Sequence, residues 1–447
     1  MVNPIVVAAK QGQWQLVQKH LFTATLDQVN QRDERGLTAL MYGVTALEVP
    51  TVKQLLQAGV DPNLSRPPHD ITPLMLLAGL PHNNTNDLNY SNKQEQRREN
   101  LCGMAKILLE FGAEVNRQND DGTTALMMAA YRNNLPLVQI FLAGGADCQV
   151  QDRQGTTALE WAIKHRNLAM VQALLQGQAR LDLRDGDGNL PLTLAIKIDD
   201  HDIVDSLLRA GAPWDQESWF TAVEEGKIAP VQALIEAGYP ITEPGDTGDT
   251  ALHIACLEGY EKMVQILLAH QAPLDVVNQA GDTPLILAIA QGQLAIVGQL
   301  LKAGANPNFS VTGESPLMTA LTMDSLGSQV QREIVQALFK AGVSANQCLW
   351  EDKTPLMVAA NLNLADLISL LANHGADPNQ TDPSGSTALM WACHRGHLEV
   401  VKALLDNFPA MDVNVKNNGG QTALHLAHLN HRQAIVAFLK SHPSHGQ

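Results

Sequence analysis

The chain has 447 residues, of which 45% are apolar and only 4% aromatic, and its formal net charge is −16. That apolar share excludes a disordered composition, and the negative balance excludes a general nucleic-acid binder, which needs a basic footprint. The length exceeds one ordinary globular core, but a fixed internal repeat overrides a domain count, because an array grows by stacking units.

The first residues, "MVNPIVVAAKQGQ", have no basic region followed by a long apolar run, so a signal peptide is not expected. No stretch approaches the ~20 apolar residues of a membrane helix. The five cysteines, at 102, 148, 256, 348 and 393, are odd in number and show neither zinc spacing nor a disulfide framework. They fit a reducing compartment, and a cytoplasmic location is expected.

One register runs down the chain. A Thr opens a short apolar block at Thr38, Thr72, Thr124, Thr157, Thr250, Thr283, Thr354, Thr387 and Thr422. Leu190 and Ser315 take the same slot, and degenerate copies place Asn3 and Glu217 there. Thr is a good helix N-cap, and Pro or Ala follows at the first helical position. Small residues come five and six places on, as at Ala129-Ala130, Ala255-Cys256 and Ala359-Ala360. Gly259, Gly292 or Gly396 ends the block. A second apolar run with helical spacing follows, such as Ala295 to Leu301, and stops at a Gly-Ala pair such as Gly304-Ala305. Asp, Asn and Gly then supply a turn. Helices this short do not persist alone in water, so stacking must complete their cores. Small residues on the first helices let them approach closely, which predicts a curved stack with those helices inside.

The units run 1–32, 33–66, 67–118 (with an inserted loop at 81–100), 119–151, 152–184, 185–211 (short), 212–244 (degenerate), 245–277, 278–309, 310–348 (with a second insertion), 349–381, 382–416 and 417–447. All are expected to form one solenoid over 1–447, with repeats 1–32 and 417–447 as caps. The inserted text at 81–100 is polar and predicts a loop with helix near its charged end; the second insertion falls within 324–333. The sixth interval is short, and Trp214 and Trp219 fall in the gap. Weaker coupling between repeats is expected there.

The period, the "TALH" at Thr250 to His253 and again at Thr422 to His425, and "GADPNQTDPSGSTALMWACHRGHLEVVKALL" from Gly375 to Leu405 resemble the ankyrin repeat. The resemblance covers essentially the whole chain. It implies an all-α solenoid with short β-hairpin fingers, a curved stack of about thirteen repeats. It also implies a concave groove of finger tips and first helices that binds other proteins. The family's His survives only at His253 and His425; Met replaces it at Met41, Met75, Met127, Met318, Met357 and Met390. The resemblance makes this His a link between fingers, which Met cannot provide. Packing is the expected role of the Met side chains.

No catalytic constellation is evident, and no catalytic residue, cofactor or metal is assigned. His425, His428 and His431 lack a matching Cys or carboxylate set. "DGDGN" at Asp185 to Asn189 departs from a calcium loop at Leu190 and Ile196. The expected function is a non-catalytic scaffold binding another protein. The alternatives are a receptor for a small molecule or nucleic acid and, less favoured, an enzyme with a site assembled across repeats. Neither nucleic acid binding nor membrane insertion is expected, and the chain is expected to be a monomer. Charge suggests where a partner docks. From Asp182 to Glu261 there are 17 acidic and 4 basic residues. Asp187, Asp246 and Asp249 map to fingers, and Glu224, Glu225 and Glu258 to the exposed ends of first helices. Clustered charge of one sign attracts a complementary partner, so a basic segment is expected at repeats six to eight. Trp214, and Trp350 at a finger tip, are candidate anchors.

Overall fold

In the computed structural model of the chain, residues 3–81, 91–310, 315–323, 328–348 and 352–441 are described. The chain divides into two compact units, one of residues 1–222 with 229–239 and the other of 223–228 with 240–447. Among the described residues the helices come in thirteen successive pairs, with one extra turn at Leu26–Val29. In the first unit, Ala125–Tyr131 pairs with Leu135–Ala143, Ala158–Lys164 with Leu168–Gln176, and Pro191–Lys197 with His201–Arg209. In the second, Ala251–Glu258 pairs with Glu261–Ala269, Pro284–Ala290 with Leu294–Ala303, and Ala388–Arg395 with Leu398–Asn407.

The Thr register sets where first helices start. Thr38, Thr72, Thr124, Thr283, Thr354 and Thr387 hold extended backbone. Each accepts through Oγ1 the N–H of the residue three places on, at 3.3 to 3.4 Å. Such caps satisfy N–H groups that the helix leaves without partners. Where Glu217 occupies the slot, capping moves upstream. Asp215 Oδ1 accepts the N–H of Ser218 at 2.9 Å, and the helix begins at Gln216. The buried pattern keeps the original register, since Ser218, Trp219 and Ala222 are fully buried.

Packing explains the small residues. Ala129, Ala130, Ala162 and Ala195 are buried on first helices, and Leu137, Val138, Val171 and Leu174 on second helices. Met41, Met75, Met127, Met357 and Met390 are buried and Met318 is half-buried, so they fill core. His253 does what Met cannot. Burial lowers its pKa from the usual value, which favours the uncharged ring. Nδ1 accepts the Thr250 N–H at 3.1 Å, and Nε2–H donates to the Asp282 carbonyl of the next finger at 3.1 Å. Cys256 and Cys393 are also core. Burial pushes both thiols up, Cys393 to about 12, which makes them poor nucleophiles.

The fingers are tight turns. Asp152 Oδ1 accepts the N–H groups of Gln154 and Thr156, and Asp185, Asn278, Asp382 and Asn417 each close a turn the same way. Strand pairing among the described residues is limited to two isolated bridges, Arg32 with Thr38 and Arg66 with Ile71. Successive fingers are joined along the backbone, as where the Arg153 N–H donates to the Asp121 carbonyl at 2.9 Å.

The described ends of both insertions are helical. Residues 91–100 belong to the 20-residue helix Ser91–Glu110, and the second insertion ends in the 13-residue Ser328–Lys340. The remainder, at 82–90 and 324–327, lies outside the described residues.

A side-chain ladder ties the far ends of second helices together. Asn116 Oδ1 accepts the Asp147 N–H at 2.7 Å while Nδ2 donates to the Gly145 carbonyl at 3.0 Å. Asn63 makes the same two bonds to Glu114 and Gly112, and Asn346 to Asp377 and Gly375. Replacing Asn116 with Ala should lower stability by about 1 kcal/mol, the ordinary net worth of such bonding. Urea unfolding followed by circular dichroism checks it. An unchanged midpoint would remove the ladder as a stabilising contact.

Candidate functional site

The second unit presents Glu224 and Glu225 at the end of one first helix and Glu258 at the end of the next, all three exposed. Their placement is fixed from below. Gly226, at φ 68°, makes the turn after Glu225, and a Cβ there would lie 3.0 Å from the Tyr260 ring. The Tyr260 hydroxyl donates to the Glu224 carbonyl at 3.0 Å. Asn133 and Arg166 hold this left-handed conformation at the same place in their repeats, so it is the closeness of the Tyr260 ring that sets the glycine apart here. Glu225 faces Lys227 at 3.9 Å, a weak exposed pair. Leu257, 41% exposed, sits beside Glu258.

The finger carboxylates of this unit differ from each other. Asp246 is exposed, and its carbonyl accepts Gln279 Nε2 at 2.7 Å. Asp249 is half-buried and has both oxygens engaged, by Thr247 Oγ1 at 2.6 Å and Asn278 Nδ2 at 2.8 Å. Asp249 therefore holds two fingers in register, while Asp246 offers a free carboxylate to solvent.

In the first unit Asp187 is exposed at its finger tip, its N–H bonded to Asp185 Oδ1 at 3.0 Å. Trp214 is 38% exposed and meets the Tyr239 ring edge-on at 5.1 Å. Trp219 is buried and stacks on the Tyr239 ring, centroids 4.5 Å apart. Trp219 is thus core, and Trp214 is a lid on that core with an open face. Trp350 lies outside the described residues.

Among the described residues no group of three or more His, Cys, Asp and Glu side chains is placed to hold a metal. None of their helices is long and apolar enough to cross a membrane. Open clefts of about 750 and 840 Å³ lie on the first two repeats, one by Trp14 and Glu48 and the other by Lys10 and Asp33. They are remote in sequence from the acidic side chains.

The ankyrin-repeat family profile, described as three copies of the repeat, matches residues 97–185, 145–218, 219–311 and 356–446. The chain belongs to the ankyrin repeat family. Ankyrin repeats generally mediate protein–protein interactions. Among curated relatives, the B-cell lymphoma 3 protein homolog of Mus musculus is 33% identical over 120 residues, 26% of each chain. The Danio rerio protein named "Putative palmitoyltransferase ZDHHC13" is 27% identical over 237 residues, 52% of this chain and 36% of that protein. The aligned stretches thus span about a quarter to a third of those relatives. The solved human ASB11 ankyrin repeat domain is 26% identical, covering 50% of this chain and 96% of that one, with a TM-score of 0.41.

Within this ankyrin chain, Tyr131, Arg132, Lys164 and His165 hold the same places after the capping Thr that Glu224 and Glu225 hold after Glu217. That register is the sequence signal for them, and charge totals hide it. The position of His253 is also reused. Glu160 stands there in its repeat, 1% exposed, with Oε2 unpartnered. Burial, then the nearby Asp185, pushes its pKa up to about 7 from the ordinary 4.5. The folded state therefore holds a proton that the unfolded chain releases between these values, and this stability is lost as pH rises through that window. Glu160→Met should raise the melting temperature near pH 8. Its stabilising effect there should exceed that near pH 4.5 by on the order of 2 kcal/mol. Equal gains at both pH values, measured by thermal melts, would show that packing alone separates the two side chains.

Proposed function

We propose that this ankyrin array is a non-catalytic scaffold, and that its second unit receives a basic segment of a partner protein along Glu224, Glu225, Asp246 and Glu258. The observation that carries this reading is the exposed Glu224–Glu225 pair on a turn held by Tyr260, with Lys227 paired only weakly to Glu225. Exposed like charge on a preformed support draws a complementary partner and speeds its encounter. Leu257 adds apolar area beside the carboxylates, which suits a segment mixing Lys or Arg with apolar residues. Asp249 supports the finger of this surface. In the first unit, Asp187 and Trp214 are exposed and stand as separate candidate contacts for a partner. Palmitoyltransferase activity belongs to the name of one partial relative and is not carried over. All five cysteines are free, which supports a reducing, cytoplasmic setting.

A fluorescein-labelled oligolysine peptide tests the acidic surface. Its affinity should fall as salt rises, because exposed charges are screened over ~8 Å at physiological ionic strength. Glu224→Gln with Glu225→Gln should slow association by roughly tenfold at low salt and leave the circular dichroism spectrum unchanged. Binding indifferent to both salt and the double substitution would remove these carboxylates as the docking site.

A further inference from the structure

The first unit carries a surface of the opposite sign. Tyr131 closes the helix Ala125–Tyr131, and Trp161 lies in Ala158–Lys164 one repeat on. Their rings meet edge to face, centroids 4.8 Å apart at 78°. Tyr131 is 50% exposed and Trp161 half-buried. The Arg132 guanidinium stands 5.5 Å from the centre of the Tyr131 ring, and Lys164 Nζ 5.0 Å from that of Trp161. The turns beneath are tied together. His165 Nε2 meets the Tyr131 carbonyl at 2.7 Å, and Arg166 donates to the Ile198 carbonyl. A surface ordered in advance loses little freedom on binding.

Rings stand beside these two cations where carboxylates stand beside several others of the unit. Arg180, Arg184, Lys197 and Arg209 of the same unit each face a carboxylate. Among the described residues, Arg132 and Lys164 face aromatic rings and no carboxylate at ion-pair distance. A ring attracts a cation through its quadrupole but brings no net charge to cancel it. The carboxyl nearest Lys164, Glu160 one turn earlier on the same helix, feels that charge, but it is buried and its pKa is pushed up to about 7, so near neutral pH it supplies only part of a counter-charge. Positive charge held beside an exposed Tyr is the composition of a protein hot spot, where Tyr, Trp and Arg are enriched.

We propose that Tyr131, Arg132, Trp161 and Lys164 form a docking surface for an acidic segment of a partner protein, whose carboxylates meet Arg132 and Lys164 and whose apolar atoms cover the open face of Tyr131. Nucleic acid also uses cations and stacking rings, but a phosphate backbone needs a long basic track. Here the flanking fingers expose Asp120, Asp121 and Asp187, and the chain carries a net charge of −16. A short acidic segment makes contact at the two cations without lying along those carboxylates. This surface is independent of the acidic one, which lies in the other unit.

The test is fluorescence anisotropy of the full chain with a fluorescein-labelled oligoglutamate peptide containing one tyrosine. A labelled oligothymidylate and the oligolysine peptide run alongside. A chain of this net charge repels oligoglutamate in general, so saturable binding marks a local site. Arg132→Glu with Lys164→Glu should weaken that binding by at least about tenfold, and Glu224→Gln with Glu225→Gln should leave it unchanged. Should the charge-reversed protein lose its circular dichroism signal, Arg132→Gln with Lys164→Gln gives the same comparison. Absence of saturable binding overturns the proposal, as does binding insensitive to the substitutions at Arg132 and Lys164. Tighter binding of oligothymidylate would assign the surface to nucleic acid instead. Self-association in analytical ultracentrifugation that those substitutions abolish would assign it to a second copy of the chain.

Discussion

A helix of seven to nine residues gains too little from its own hydrogen bonds to repay the ordering of its backbone. Ala125–Tyr131 and Leu168–Gln176 are helices of this kind, and their stability comes from the apolar faces that neighbouring repeats cover. Everything else in the chain serves that constraint. In most repeats a capping Thr starts the first helix at the right residue, and the Ala pairs let first helices come close. At Asn63, Asn116 and Asn346 the Asn ladder holds the end of one second helix to the next, and the finger turns link along their backbones. Each device contributes little alone, and its repetition makes the contributions add.

Burial leaves specific positions free of packing duties, and chemistry collects there. The seventh and eighth residues after the capping position end the first helix and face solvent. In one unit they include Tyr131, Arg132, Lys164 and His165; in the other they include Glu224, Glu225, Leu257 and Glu258. The scaffold beneath is the same in both places. A side chain can change there from carboxylate to guanidinium without touching the core, so one architecture carries surfaces of opposite sign.

The third residue after the capping position shows the converse case, where packing restricts chemistry. It is buried in most repeats and holds Met in many of them. His253 uses the site to join two fingers, because both ring nitrogens find partners. Glu160 fits the same space but leaves one oxygen unpartnered, and burial then favours its neutral form. A polar group is tolerated there in proportion to the hydrogen bonds it completes.

The repeat register, the helix starts and the small-residue contacts were legible along the chain, because each depends on residues within one period of sequence. Thr387, Ala392, Cys393 and Gly396 lie where local rules place a cap, a close contact and a stop. The acidic run was equally legible as charge. Sequence alone could not separate Asp246 from Asp249, two carboxylates of one finger, of which one is open and the other bonded to Asn278 in the next repeat. Nor could it show that capping shifts to Asp215, that Trp219 is core while Trp214 covers it, or that Tyr131 and Trp161 meet. The sequence by itself determined the repeating element and which faces had to be buried, since period and polarity are written residue by residue. Only the tertiary structure decided which charges and rings find partners, because those partners come from the adjacent repeat, about thirty residues away in the chain and within hydrogen-bond reach in space.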